Sequence, residues 1–123
     1  MPFLKQRANA FKYAWKGIAY LFRNETHARI HLVAAVLVLI TGFMLHISPL
    51  EWCCIIICIG GVFMAEAFNT AVEKVADKVT RRHDPLIGIA KDVAAGAVLL
   101  FVIASVAVGL IIFLPKLLLL IEA

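Results

Sequence analysis

The stretch VFMAEAFNTAVEKVADKV, residues 62 to 79, sets Glu66 among Met64, Ala65, Ala67 and Phe68, then adds Asn69, Glu73 and Asp77. At about 100° per residue of helix, these four side chains share a sector of roughly 80° and extend over about 16 Å of axis. They form one polar stripe that begins inside apolar sequence and ends among alternating charges. A base at a membrane boundary takes a proton from the hydroxyl of a lipid whose tail stays in the bilayer. Carboxylates one or two turns further out can hold a hard cation such as Mg²⁺, which favours oxygen ligands and polyphosphate. The basic residues nearby then have phosphate to bind. An ionisable group at such depth is costly and reads as functional by default. The structural alternative is a carboxylate neutralised by burial or by a lysine from another helix. Spacing carries the reading to a polar reaction or ion site at the inner interface.

Lipid has to hold such a stripe. Of 123 residues, 63% are hydrophobic and 16% charged, more apolar surface than one small globule can hide. Three apolar runs have the length to cross about 30 Å of hydrocarbon, for which roughly 20 helical residues serve: 30–47, 50–68 and 93–114. The expectation is an all-α membrane protein, one domain over 1–123, with 1–29 as a surface helix and cytoplasmic lead. Lys5, Arg7, Lys12, Lys16, Arg23 and Arg29 precede the first span, and Lys74, Lys78, Arg81, Arg82 and Lys91 lie between the second and third. The connection from Ser48 to Glu51 has no basic residue, so the N-terminus and the 74–92 segment read as cytoplasmic and the C-terminus as outside. No small-residue cleavage site follows the first apolar run, so no removable signal peptide is expected.

Punctuation supports these boundaries. In HISPLEW, Ser48, Pro49 and Glu51 make a capping-box pattern that starts the second span, with Trp52 at an interfacial position. In RHDPLIG, Asp84 and Pro85 repeat the cap-then-proline signal, starting the third helix inside the cytoplasmic interface and leaving Lys91 and Asp92 near it. Ahead of the first span, Leu4, Phe11, Trp15, Ile18 and Phe22 gather on one helical side, and Lys5, Lys12, Lys16 and Arg23 on another. That pattern predicts an amphipathic helix on the inner leaflet, or, in the alternative, one packed on a partner protein.

Other features read blandly. Cys53, Cys54 and Cys58 lie in an apolar span and behave as small hydrophobes. His27 and His31 have the spacing of a helical zinc pair, yet only Glu25 is near as a third ligand. Ala97, Ala104, Ser105 and Gly109 read as packing positions. A small transport or channel subunit using Glu66 as a proton or cation carrier is the rival reading, weakened because the stripe stays at the cytoplasmic end. A scaffold held by its amphipathic helix is another, and it leaves Glu66 unexplained.

The segments AEAFNTAVEKVADKV and IAKDVAAGAVLL, with KYAWKG and RNETHARIH upstream, resemble the bacterial diacylglycerol kinase and undecaprenol kinase family of small membrane enzymes, from about Phe11 to about Phe113. Two elements are specific. The pattern E-x-x-N-[ST]-A-x-E-x-x-x-D is met by Glu66, Asn69, Thr70, Ala71, Glu73 and Asp77, and A-K-D-x-x-[AS]-[AG]-A-V runs from Ala90 to Val98. The kinase reading comes from this resemblance alone, since Gly60 and Gly61 lie in an apolar span and nothing matches a phosphate-binding loop.

The resemblance implies a homotrimer of three-span subunits in the bacterial cytoplasmic membrane, with active sites shared between neighbours. It implies ATP as phosphoryl donor, Mg²⁺ as cofactor, a membrane lipid alcohol as acceptor, and no nucleic-acid partner. Carried over by motif, Glu66 is the general base and Asn69 positions the reacting groups. Glu25 and Glu73 ligate Mg²⁺, Lys91 and Asp92 contact the nucleotide phosphates, and Asp77 is a further cofactor-binding residue. Tyr13 and the segment Arg82, His83, Asp84 are further nucleotide contacts. The chain departs from some relatives at Gln6, where they carry a basic residue, and at Asp84, where a histidine often precedes the proline. His31, where the diacylglycerol-specific branch has a glutamate, leans the reading toward the undecaprenol-type branch.

Overall fold

The computed structural model describes residues 1–123 as four helices: α1 (Pro2–Asn24), α2 (Thr26–Met44), α3 (Pro49–Val79) and α4 (Pro85–Glu122). By length and composition α2, α3 and α4 are each able to cross a membrane. Local chemistry starts the last two. The Ser48 hydroxyl accepts from the Glu51 N–H at 3.2 Å while Glu51 Oε1 accepts from the Ser48 N–H at 2.9 Å, a closed capping box ahead of α3. Asp84 Oδ1 accepts from the N–H groups of Leu86 and Ile87 at 3.0 and 3.1 Å, which caps α4.

The break between α1 and α2 is a single residue. Glu25 is extended, at φ −105° and ψ 114°, and its N–H donates to the Leu21 carbonyl at 3.0 Å, so the last turn of α1 is kept. At the opposite end of α2 the chain reverses through Leu45 to Ser48, with His46 in the left-handed region at φ 52°.

Helix α2 meets α3 along one face. Ala28 and Ala35 are 0% and 8% exposed, Gly42 is buried, and half-buried His31 and Val38 lie between them in steps of three and four. Helix α3 answers with buried Ile55, Val62, Glu66 and Thr70. Small residues let the backbones approach: a Cβ on Gly42 would stand 2.7 Å from the Trp52 ring, and one on Gly61 would collide with the Phe101 ring of α4. The close approaches therefore fall at these two glycines. Ala97 and Ala104 are exposed, and Gly109 faces open space within the chain.

Helices α3 and α4 form the main hairpin. Beside the α2–α3 turn, Ile47, Ile55 and Ile112 cluster with Trp52 and Phe113. There Lys116 Nζ lies 3.2 Å from Glu51 Oε1, and Pro115 sits inside α4 without ending it. Gly61→Ala is expected to destabilise the hairpin by about 1–3 kcal/mol, the cost of overpacking. Thermal unfolding in detergent reads this as a lowered midpoint that Phe101→Leu in the same chain largely restores. A Gly61→Ala protein that melts like wild type would mean that the Phe101 ring swings aside freely.

The C-terminal half of α1 is tied to α3. Leu21 is 4% exposed, the Phe22 and Phe63 rings meet edge to face at 5.2 Å, and the Lys74 ammonium lies 5.6 Å from the Tyr20 ring centroid. Phe22, grouped by periodicity with Phe11, Trp15 and Ile18, thus turns to protein, while those three stay exposed.

Candidate active site

The stripe on α3 is graded from dry to wet. Glu66 and Thr70 are 5% and 7% exposed, Asn69 and Glu73 are half-buried, and the Asp77 side chain is 47% exposed. The face that carries Ile55 and Val62 deeper in the helix continues into Glu66, so the carboxylate points into the packing rather than at lipid. It meets one ionisable partner. His31 Nε2 of α2 lies 3.2 Å from Glu66 Oε1, with side-chain exposures of 23% and 6%. The antiparallel register that sets Gly42 against Trp52 also brings His31 to Glu66. The buried carboxylate is met by a histidine; of the two arms of the structural alternative, burial and a lysine from another helix, no lysine pairs with it. One turn further, Asn69 Oδ1 is buried with no hydrogen-bond partner, an acceptor left for a donor from outside the chain.

Beyond the apolar stretch the hairpin carries a second pair. Lys91 Nζ donates to Asp77 Oδ1 at 2.7 Å, joining α4 to α3 about three turns out from Glu66. That hydrogen bond, reinforced by the lysine charge, holds the Asp77 carboxyl below the usual carboxylate range. The lysine keeps two further N–H donors for a phosphate.

The chain's ion pairs are His31–Glu66, Lys91–Asp77 and Lys116–Glu51, so Glu25 at the helix break and Glu73 on the stripe are in none of them. No three His, Cys, Asp or Glu side chains gather closely enough to cage a metal. Mg²⁺ does not require such a cage, since it is commonly held by one or two carboxylates plus waters and substrate phosphates.

Of the nucleotide contacts expected from motif, Asp84 spends Oδ1 on the α4 cap, and the Arg82 N–H donates to Thr80 Oγ1 at 3.1 Å. Tyr13, Arg82, His83 and Asp92 are exposed, with no hydrogen bond or ion pair from their side chains to Glu66, Asn69 or Glu73. The Lys16 ammonium covers the Tyr13 ring at 5.4 Å. The residue with a role left open by sequence is His31; the signal for it is the packed spacing of Ala28, Ala35 and Gly42 around it.

A cavity of about 210 Å³ runs between α2, α3 and α4 from His31 and Phe63 to Val38, Ile55 and Phe113. His31 and Ser105 are its only polar side chains, and the Ser105 hydroxyl is buried without a partner. Cys58 joins the apolar wall as a free thiol, and Cys53 and Cys54 are exposed free thiols on the same helix.

A family model described as prokaryotic diacylglycerol kinase matches residues 12–113. Undecaprenol kinase of Bacillus subtilis (strain 168) is 46% identical over 108 residues, 88% of this chain and 88% of that protein. Diacylglycerol kinase of Synechocystis sp. is 40% identical over 110 residues, 89% of this chain and 63% of that protein. Diacylglycerol kinase of Escherichia coli (strain K12) is 31% identical over 94 residues, 76% of this chain and 77% of that protein.

Proposed function

The chain belongs to the prokaryotic diacylglycerol kinase family, and we propose that it moves the γ-phosphate of ATP onto the hydroxyl of a membrane lipid alcohol, with undecaprenol favoured over diacylglycerol. The observation that carries this reading is Glu66 itself. It is a carboxylate 5% exposed, set where an apolar cavity ends and a charged stripe begins. A lipid hydroxyl whose tail remains in hydrocarbon comes to that depth, and a nucleotide does not need to.

In the proposed reaction Glu66 accepts the hydroxyl proton as the lipid oxygen bonds to the γ-phosphorus, the bond to the bridging oxygen breaks, and ADP leaves. Phosphoryl transfer asks mainly for positioning and charge neutralisation, which suits a site with one base and several cations. Asn69, with its unpartnered oxygen, orients the reacting groups. Lys91 and Asp92, with Tyr13 and the 82–84 segment, face the nucleotide, and Asp77 holds Lys91 in place. Glu25 and Glu73 would hold Mg²⁺, which when bound neutralises charge on the phosphates.

The higher identity to the relative named undecaprenol kinase, and a histidine at 31, support the choice of acceptor. Basic residues before α2 and between α3 and α4 support a cytoplasmic N-terminus and site, with α1 lying as an amphipathic helix on the inner leaflet. The assembly is a homotrimer with sites shared between neighbours, a reading supported by the resemblance of the Glu66–Asp77 and Ala90–Val98 segments. A transport subunit is disfavoured because the space between α2, α3 and α4 offers only His31 and Ser105 to a proton or ion.

Purified protein in mixed micelles with Mg²⁺ and γ-labelled ATP is expected to label undecaprenol, and diacylglycerol less efficiently. Stronger labelling of diacylglycerol would reassign the acceptor within the same class. No labelled lipid with either acceptor, from an intact oligomer, would overturn the reading.

A further inference from the structure

We propose that His31 is the positioning residue for Glu66: it holds one carboxylate oxygen so that the other is presented to the lipid hydroxyl. This rests on Glu66 being the base. Four observations carry it. Glu66 is the chain's one buried acidic residue, and His31 is the one basic side chain set against it, Nε2 lying 3.2 Å from Oε1. The second is packing: the ring is carried on a face whose neighbours, Ala28 and Ala35, are 0% and 8% exposed. The third is asymmetry: Oε1 is the oxygen that faces the imidazole, which leaves Oε2 for the substrate hydroxyl. The fourth is place, since His31 also lines the apolar cavity, at the point where a lipid tail and its hydroxyl would part.

The residue type fits the task. An imidazole N–H can donate toward the carboxylate without the permanent full charge that a lysine brings, so it can orient the base. A lysine in its place would stabilise the ionised carboxylate and make it a poorer proton acceptor. The N···O separation of 3.2 Å is close to hydrogen-bond distance.

The test uses His31→Leu, which fills similar space without a donor, and His31→Gln, whose amide can donate from a comparable distance, each alone and with Glu66→Gln. Turnover and the Mg-ATP KM are measured on the assembled oligomer with the lipid acceptor. His31→Leu is expected to lower kcat by roughly 10- to 100-fold, by analogy with loss of a group that orients a metal ligand, with KM for Mg-ATP nearly unchanged. His31→Gln is expected to recover most of that loss. In the Glu66→Gln background, His31→Leu is expected to cost nothing more, because its effect passes through the carboxylate. A His31→Leu oligomer with wild-type kcat, or one that multiplies the Glu66→Gln loss by its own full factor, overturns the proposal.

Should His31→Leu fail to assemble, the imidazole ¹⁵N resonances of His31 decide, compared between the parent protein and Glu66→Gln. The Nε2 resonance is expected to move when the carboxylate becomes an amide, and an unmoved resonance overturns the proposal. If Glu66→Gln itself keeps parental turnover, the base assignment falls and this inference with it. A slow Glu66→Gln beside a fast His31→Leu removes this inference alone.

Discussion

Glu66→Gln is expected to give an intact oligomer whose turnover is lower by roughly the 10² to 10⁴ that a positioned acid–base group supplies. Glutamine keeps a polar group of similar size at the same depth and removes only the capacity to take a proton. The site's grading predicts where the loss appears. Glu66 lies about three turns inward of the Asp77–Lys91 pair, so Mg-ATP binding is expected to change little and the deficit to fall on kcat. A structural carboxylate gives the opposite pattern: poorer assembly or a lower melting midpoint, with substantial activity in what remains folded. Steady-state kinetics beside size-exclusion profiles separate the two. An assembled Glu66→Gln protein within a few-fold of wild type would take Glu66 out of the mechanism and leave Asp92 as the next carboxylate to test.

The parts of the fold legible in sequence are those fixed by neighbours in the chain. Ser48 with Glu51, and Asp84 ahead of Pro85, announce helix starts because a cap is made by side chains two or three residues from the amides they satisfy. Hydropathy is a different kind of signal. It marks where lipid is tolerated, not where backbone hydrogen bonding stops. Helix α3 accordingly continues to Val79, past the apolar run that closes at Phe68, and α4 extends to Glu122. The break at Glu25 has no glycine or proline to betray it, and the close packing at Gly42 and Gly61 depends on Trp52 and Phe101, which only the folded register brings there.

The site divides along the same line. Glu66, Asn69, Glu73 and Asp77 stand on one helix, so their periodicity gives the stripe without any tertiary knowledge. Its partners come from other helices and could not be paired that way. Lys91 was marked by motif, yet its contact with Asp77 needs the α3–α4 hairpin. In sequence His31 offers a zinc-like spacing with His27 and a lean toward one branch of the family, and its link to Glu66 emerges only when α2 lies antiparallel on α3. Asp84 shows the converse: a motif position whose carboxylate also caps its helix, so substitution there mixes folding with binding.

Glu25→Gln and Glu73→Gln test the cation, and the structure makes both unusually clean. Glu25 makes no side-chain cap bond at the start of α2, and neither residue belongs to an ion pair, so loss of charge should leave the helices as they are. Each carboxylate that holds Mg²⁺ contributes a full negative charge that glutamine lacks, and a hard cation responds strongly to that loss. Partners one shell removed from a metal already alter affinity or activity by roughly 10- to 100-fold, and a direct ligand should do at least as much. The expected result is a Mg²⁺ activation curve displaced to higher concentration by that factor, with lower turnover even at saturation. Unchanged melting curves would show that the fold is intact. Glu66→Gln should give the reverse, a low plateau reached at the wild-type Mg²⁺ concentration, because its deficit is in proton transfer. If either Glu25→Gln or Glu73→Gln retains wild-type activity across the whole Mg²⁺ titration, that residue is not a ligand, and the cation must rest on the other carboxylate and the phosphates.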